Sequence, residues 1–239
     1  MREYSKKLIF LLCGILIILT VFVQKGYAGV DKKIKKNKTI LVIGDSIAYG
    51  MAQEDKSDTG VDDGEDVYWL TEGGINITWI RSDFKISLGR VMPKNIVNTF
   101  TTKSKFDLLK EIKKKKVEDI VVVLGTNCPG GKFAKLVVTT LKNMAKKSGC
   151  RVYYVNHLPY VNKGRYKNRF SVVAKHNEIT RKGFKGTDIT YIDAYKIVKS
   201  IKNYHTLTED GIHYSKKAYN KVFKAVLDSI KERREEQKE

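Results

Sequence analysis

The sequence is short of proline and cysteine, and its acidic residues are far outnumbered by its basic ones. Three prolines and the lack of a repeated unit exclude collagen-like, linker-dominated and solenoid proteins. Three cysteines are too few for a disulfide scaffold. A hydrophobic content of 42% excludes an intrinsically disordered chain, and 239 residues suit one domain with a short appendage.

The first 28 residues differ in character from the rest of the chain. Arg2 and Lys6 precede an unbroken apolar run, Leu8 to Val23, and small residues lie before a cleavage position after Ala28. A basic, an apolar and a small-residue region in this order predict a secretory signal peptide over 1–28. Because the 16 apolar residues approach the length that spans a bilayer, an uncleaved N-terminal anchor is the alternative. Either way we expect an exported protein, secreted or associated with the cell surface or cell wall.

The excess of basic residues persists without this segment. The formal net charge is +20, and about +17 remains once 1–28 are removed. A basic leader, 29–38, precedes the predicted domain, 39–239. For an exported protein the expected counter-charges are anionic cell-wall polymers or an anionic membrane surface, rather than nucleic acid. Alternatively, runs such as Lys113–Lys116 are solvated helix faces without a partner.

Apolar runs of strand length alternate with helical patterns along the predicted domain. The five predicted strands span 39–43, 67–70, 120–124, 152–155 and 189–192. The predicted helices lie near 105–117, 132–148 and 170–184, with a last one from about Ser215. This alternation predicts a three-layer α/β domain whose active site lies at the C-terminal ends of parallel strands. The least regular segment, 75–104, is expected to be either a substrate-covering insertion or a helix and turn.

Cys128 and Cys150 are expected to be free thiols. Cys128 follows the C-terminal end of one predicted strand, and Cys150 precedes the N-terminal end of the next. These positions lie at opposite edges of a parallel sheet, beyond the Cα separation of about 7 Å that a disulfide allows.

The first predicted strand runs directly into Gly44-Asp45-Ser46, ahead of a predicted helix. A serine at a helix N-terminus lies beside free backbone N–H groups and the positive end of the helix dipole, which favour a developing oxyanion. Ser46 is therefore a candidate nucleophile. The alternative is that Asp45 or Ser46 only caps the helix.

An acid–histidine pair, Asp210 and His213, lies just before the last predicted helix. In a helical turn, an i, i+3 spacing places both side chains on one face, so the carboxylate can hold the imidazole in the tautomer that accepts a proton from serine. Of the other three histidines, His157 could line the site, His176 is expected at the surface, and His205 is the one competing base.

Two other segments offer hydrogen-bond donors at strand ends. Asn127 ends the third predicted strand, where its amide could donate to an oxyanion or only close an Asx turn. Gly73 and Gly74 follow the second predicted strand, where a backbone N–H is not obstructed by a side chain; an ordinary turn is the alternative.

Taken in order, these segments resemble the four blocks of the SGNH (GDSL-type) hydrolase family. GDSIAYG resembles the first block, EGGINITW the second, GTN the third and EDGIHYSKKAY the last. The resemblance covers most of the predicted domain. It implies a three-layer α/β/α fold with a flavodoxin-like parallel five-stranded sheet, and activity without metal or cofactor. Cys128 stands where many members have aspartate, and the loose second block leaves Gly73 as an alternative to Gly74.

The resemblance also implies a role for each of these residues. Ser46 would be the nucleophile, His213 the general base and Asp210 its orienting partner. The oxyanion hole would consist of the Ser46 backbone N–H, the Gly74 backbone N–H and the Asn127 amide.

Most family members are esterases or lipases, so the resemblance implies a serine esterase. Predicted export and positive charge favour acetyl esters on cell-wall or extracellular polysaccharide as the substrate. The alternatives are an acetyltransferase acting on a glycan, a lipid or lysophospholipid esterase, and a non-catalytic basic wall-binding module.

Overall fold

A computed structural model of the chain describes residues 39–55, 67–80, 82–164 and 170–238. The predicted signal peptide or anchor, 1–28, and the basic leader, 29–38, lie outside the described residues. Within the described ranges, no helix is long and apolar enough to cross a bilayer.

The centre of the domain is a six-stranded sheet. Its strands are β1 (Ile40–Gly44), β2 (Val67–Glu72), β4 (Ile96–Asn98), β6 (Asp119–Val123), β7 (Arg151–Val155) and β8 (Ile189–Ile192). Five of them are parallel and lie in the order β2-β1-β6-β7-β8, while β4 pairs antiparallel with β2 at one edge. The parallel five-stranded sheet is therefore confirmed, with an antiparallel edge strand that the sequence pattern did not predict.

Helices cover both faces of this sheet. They are α1 (Ser46–Asp55), α2 (Leu108–Lys115), α3 (Gly131–Ser148), α4 (Phe170–Phe184), α5 (Ala194–Lys199) and α6 (Lys216–Glu236). The predicted bounds of α3 and α4, and the predicted start of α6, agree with the structure to within a residue or two. The helix predicted over 105–117 is shorter, because Asp107 caps α2 by accepting the Lys110 N–H at 3.0 Å and Lys116 ends it in a left-handed conformation.

Each face of the sheet carries its own hydrophobic core. Ile40 and Val42 of β1 pack with α1, α5 and α6 on one face, whereas Leu41 and Ile43 pack with α2 and α3 on the other. β6 and β7 alternate in the same way. Strands buried on both faces explain why the sequence shows continuous apolar runs rather than alternation of apolar and polar residues.

The segment 75–104, expected as a substrate-covering insertion or a helix and turn, forms short strands and turns that pack into the domain. Its described residues contain a single turn of 3-10 helix (Ile77–Trp79), the edge strand β4, and β3 (Lys85–Ser87), which pairs antiparallel with β5 (Lys105–Asp107). Ile75, Phe84 and Phe100 of this segment are buried in the core against α2 and α3. Strands of three residues are too short to leave a recognisable period in the sequence.

Both described cysteines are free, as predicted. The Cys150 thiol donates to the Val117 carbonyl at 3.2 Å, at the N-terminal edge of the sheet.

Candidate active site

In the sheet, β1 lies between β2 and β6, so the strands that follow β1 in the chain are added on both sides of it. The loops leaving the C-terminal ends of β1 and β6 therefore meet at a switch point, where open α/β sheets bind their ligands. Asp45 and Ser46 follow β1, and Thr126 and Asn127 come shortly after β6. The topology thus brings the first and third sequence blocks together.

Ser46 is the first residue of α1 and is half-buried. The residue before it, Asp45, is fully buried, and its carboxylate accepts the backbone N–H of Ile47 at 3.0 Å. The capping role that the sequence left open between Asp45 and Ser46 thus belongs to Asp45. As a result, the Ser46 hydroxyl is available to another partner.

That partner is His213, from a loop 167 residues further along the chain. The Ser46 Oγ lies 2.8 Å from His213 Nε2, and His213 Nδ1 lies 2.6 Å from Asp210 Oδ2. With Nδ1 protonated and donating to Asp210, Nε2 is left to accept the proton of the Ser46 hydroxyl. The three predicted residues therefore form one hydrogen-bonded chain.

Asp210 and His213 lie in a turn rather than in the helical turn that their spacing suggested. The turn is closed by a β-bridge between Thr208 and Tyr214, two residues ahead of α6. Asp210 Oδ1 accepts the backbone N–H groups of Ile212 at 3.0 Å and His213 at 2.9 Å, while Oδ2 faces the ring. One carboxylate therefore shapes the turn and orients the imidazole.

These hydrogen bonds also keep Asp210 ionised. Partial burial raises the pKa of its carboxyl, but the bonds from the His213 and Ile212 backbone and from the His213 ring outweigh burial and lower the pKa to about 2. A carboxylate that accepts several N–H groups is stabilised in its charged form. Asp210 is thus a negative partner for the imidazole throughout the neutral range.

Asn127 contacts the second sequence block. Its amide nitrogen donates to the backbone carbonyl of Ile75 at 2.6 Å, which leaves the second N–H of the amide group for another acceptor. The third block is tied to the first as well, because the Thr126 N–H donates to the Asp45 carboxylate at 3.2 Å. Hydrogen bonds therefore connect all four blocks around Ser46.

Gly74, the glycine predicted to contribute a backbone N–H, has a φ of +75°, a conformation that favours glycine. A Cβ built there would lie 2.9 Å from the Val91 side chain. Gly73 does not share this left-handed conformation. The conformation and the crowding both require glycine at 74, whereas the requirement at 73 is weaker.

A buried acid that the sequence analysis missed fixes the loop beside Gly74. Glu72 ends β2 with its side chain fully buried, and its carboxylate accepts the backbone N–H groups of Gly89 (2.9 Å), Val91 (2.8 Å) and Met92 (3.2 Å). Val91 and Met92 themselves are 52% and 43% exposed, unusual values for large apolar side chains. Glu72 thus holds an exposed apolar pair against Gly74.

A cleft of about 210 Å³ adjoins this loop. The 3-10 turn lines part of this cleft. Its Trp79 indole N–H donates to the backbone carbonyl of Ser87, in β3, at 3.0 Å. Residues from both sides of the turn line the cleft: Gly74, Ile75, Asn76, Thr78, Trp79, Lys85, Ser87, Arg90 and Val91. The cleft thus lies next to Gly74, the glycine predicted to donate its backbone N–H to the oxyanion.

The other three histidines do not contact Ser46 in the described structure. His205 is exposed in the 3-10 turn Tyr204–Leu207. His176 is buried, not at the surface as its sequence neighbours suggested; its ring lies 4.3 Å from that of His157 and its Nε2 lies 3.1 Å from the Tyr154 hydroxyl. His157 is buried behind Gly125, where a Cβ would lie 2.6 Å from its Nε2. The pair supports the third block from behind rather than lining the site.

This buried pair makes the fold sensitive to acid. Burial lowers the pKa of His176 to about 4 and lowers that of His157 well below its usual range, so both gain protons on unfolding below about pH 6.5. Their contribution to stability is lost as the pH falls from about 6.5. Asp45 opposes them in part, because burial raises its pKa to about 6 and its folded form gains a proton first. We expect a net loss of about 2 kcal/mol in unfolding free energy between pH 7 and pH 5.

Urea unfolding at the two pH values measures this loss. The matched control is the double variant His157→Gln and His176→Gln, which has no imidazole at either position. Its stability should not fall over this range, because only the opposing effect of Asp45 remains. An equal fall in both proteins would contradict the assignment to the histidine pair.

Within the described residues, no group of three or more histidine, cysteine, aspartate or glutamate side chains could hold a metal ion. Cys128, which follows Asn127, is half-buried, and burial raises the pKa of its thiol. The thiol is thus kept in its protonated, weakly nucleophilic form.

Several solved structures resemble this chain in fold. No protein-family model matches the chain, and no curated protein matches its sequence significantly. Among solved structures, a candidate SGNH hydrolase from Slackia heliotrinireducens superposes with a TM-score of 0.59 at 14% identity, covering 80% of this chain and 97% of the other.

Two other solved structures are similar over most of their length. The catalytic domain of Streptococcus pneumoniae peptidoglycan O-acetyltransferase A gives a TM-score of 0.54 at 14% identity, covering 83% of this chain and 95% of the other. An acetyl xylan esterase gives 0.52 at 16% identity, covering 80% and 99%. The β/α order, the sheet and these superpositions agree, and the chain has the SGNH hydrolase fold.

Proposed function

We propose that this protein is a serine hydrolase that cleaves acyl esters through a covalent intermediate on Ser46. The observation that carries the proposal is the continuous hydrogen-bonded chain from the Ser46 hydroxyl through His213 to Asp210. A hydroxyl, an imidazole and an ionised carboxylate in this order are the parts that nucleophilic acyl transfer needs.

In the first half of the reaction, His213 Nε2 takes the hydroxyl proton while Ser46 Oγ attacks the ester carbonyl. Asp210 stabilises the imidazolium ion that forms. As the tetrahedral intermediate collapses, the bond to the leaving oxygen breaks, and His213 returns the proton to the departing alcohol. Water then attacks the acyl-serine with the same assistance, which releases the acid and restores the Ser46 hydroxyl.

The tetrahedral intermediates carry negative charge on the former carbonyl oxygen. The Ser46 backbone N–H at the start of α1, the Gly74 N–H and the second N–H of the Asn127 amide are the donors we assign to it. The Asn127 bond to Ile75 fixes the amide before substrate arrives, so that stabilising the oxyanion requires little reorganisation.

For the substrate, we propose acetyl esters on cell-wall or extracellular polysaccharide. Two proteins of the same fold support it, an acetyl xylan esterase and a peptidoglycan O-acetyltransferase domain. The predicted export and the net charge of +20 fit an enzyme that works among anionic extracellular polymers.

The exposed Val91–Met92 pair favours a second candidate, a lipid or lysophospholipid esterase. These side chains lie beside Gly74, where they could contact a longer acyl chain. An acetyltransferase would use the same Ser46, His213 and Asp210 but pass the acyl group to a glycan hydroxyl instead of water. A non-catalytic wall-binding module would need none of these contacts.

Hydrolysis of p-nitrophenyl acetate, butyrate and octanoate by the purified protein tests the proposal. We expect turnover that falls as the acyl chain lengthens, because the proposed substrate carries acetyl groups. A preference for octanoate would favour the lipid esterase. Turnover only after addition of a glycan acceptor would favour the transferase, and none under either condition would contradict an enzymatic role.

A further inference from the structure

The lysines of this protein are not spread evenly over its helices. α3 carries five lysines and no acidic residue, and α2 beside it carries four lysines with one acid, Glu111. Glu111 is buried and already paired with Lys103 at 2.6 Å. No carboxylate on either helix is therefore free to neutralise the exposed lysines.

Nine exposed lysines on and directly after these helices make up what we term the lysine face: Lys110, Lys113, Lys114, Lys116, Lys132, Lys135, Lys142, Lys146 and Lys147. Among the described residues, none of the nine forms an ion pair with a carboxylate. Lys132, Lys135, Lys142 and Lys146 follow helical spacing and form one stripe along α3. At 1.5 Å per residue the stripe is about 21 Å long.

The last helix, α6, provides an internal comparison. It carries five lysines and two arginines, but four acidic residues are interspersed among them, and its Lys224 pairs with Asp228 at 3.0 Å. Four of the seven positive charges on α6 thus have a negative counterpart on the same helix, as expected for a solvated helix face. α2 and α3 together carry nine lysines against one acidic residue, a larger surplus than on α6.

Two lysines of the stripe, Lys142 and Lys146, line a cleft of about 680 Å³ at the N-terminal edge of the sheet. Arg233 and Asp188 line the same cleft. Arg151 also lines this cleft, but it is paired with the buried Asp119 at 2.6 Å. The cleft therefore keeps a surplus of positive charge. A recess next to a cationic stripe can take up a flexible anionic chain more deeply than a flat surface can.

We propose that the lysine face and this cleft form a docking surface for a phosphate-bearing polymer. The ammonium groups of lysine bind phosphate as compact point charges, and the nine lysines of this face present such charges in series. Charges spread along a helix match a repeating polyanion better than one small anion. The surface is separate from the Ser46 chemistry, so it stands whether or not the protein is an esterase.

A membrane surface fits the same charges less well. Helices that lie on anionic lipid present large apolar side chains next to their lysines. On α2 and α3 the one exposed large aliphatic side chain is Leu136, 38% accessible. A flat bilayer also does not reach into the cleft that holds Lys142 and Lys146.

The test is binding of long-chain inorganic polyphosphate to the full-length protein, followed at several salt concentrations. The triple variant Lys135→Gln, Lys142→Gln, Lys146→Gln is compared with Lys217→Gln, Lys221→Gln, Lys231→Gln on α6, which removes the same charge. We expect the α3 variant to bind about tenfold more weakly than the α6 variant. Its dependence of log Kd on log salt should be shallower by about two, at about 0.7 per phosphate contact. Unchanged melting temperatures show that both variants fold.

Three results would overturn the proposal. Equal weakening by the two triple variants would mean that polyphosphate responds only to net charge. Equally tight binding of poly-glutamate would remove the preference for phosphate. Binding to vesicles containing anionic lipid, without binding to polyphosphate, would replace the polymer with a membrane.

Discussion

Replacing Ser46 with alanine is expected to lower kcat/KM for ester hydrolysis by about 10⁴-fold or more. The hydroxyl is the atom that becomes acylated, and its hydrogen bond to His213 Nε2 at 2.8 Å is what activates it. What activity remains would come from substrate binding and the oxyanion donors alone. Steady-state kinetics with p-nitrophenyl acetate measure the loss.

Single and double variants of Ser46 and His213 test whether the two residues act together. His213→Ala should cost about as much as Ser46→Ala, and the double variant should lose little more, because the two residues act as one unit. Ser215→Ala is a matched control, since Ser215 also lies at a helix N-terminus and its side chain makes no capping hydrogen bond. The Ser215 variant should retain full activity. Losses that multiply in the double variant would contradict a shared mechanism.

The long periodic elements of the fold could be predicted from the sequence. Apolar β-branched runs gave the five parallel strands, and the 3.6-residue pattern gave α3 and α4 with their bounds nearly right. The edge strand β4 and the β3–β5 pair were missed, because each has three residues and depends on a partner distant in sequence. Such strands exist through tertiary pairing and not through local propensity.

The candidate site, like the fold, could be predicted only in part. The resemblance to the SGNH hydrolase family implied that Ser46 and His213 act together, and the structure places them in contact across 167 residues. The backbone conformation of the Asp210 turn was not predicted. An i, i+3 spacing brings the Asp210 and His213 side chains together in a helical turn and equally in a turn closed by the Asp210 carboxylate. Proximity is set by spacing, whereas backbone conformation is set by where the hydrogen bonds go.

Buried polar residues were the hardest to predict. Glu72 is satisfied entirely by backbone N–H groups of residues 89–92, and no side-chain pattern marks such a partner. His176 was expected at the surface beside Lys175, yet it packs against His157 and Tyr154. In both cases the polar partner comes from a different element, so sequence neighbours carry no information about it.

Asn127→Ala is expected to lower kcat by about 10²- to 10³-fold, the usual cost of one oxyanion donor. KM should change less, because the oxyanion exists only in the transition state and the intermediates. The variant also loses the bond from the amide to the Ile75 carbonyl at 2.6 Å, so its unfolding free energy should fall by about 1 kcal/mol. Kinetics and urea unfolding on the same preparation measure both effects.

Asn98→Ala separates the catalytic effect from the structural one. The Asn98 amide also donates to a backbone carbonyl, that of Thr101 at 2.7 Å, in the turn after β4. The Asn98 side-chain oxygen also accepts the backbone N–H groups of Phe100 and Thr101, both at 3.1 Å. Its replacement should therefore lower stability at least as much as Asn127→Ala does, by about 1 to 3 kcal/mol, while kcat stays within a few-fold of wild type. If Asn127→Ala lowered stability but left kcat unchanged, the amide would serve only to hold the second block against the third. A large loss of kcat confined to Asn127 requires instead that its second N–H reach the reacting oxygen, because Asn98→Ala loses at least as many structural hydrogen bonds without that effect.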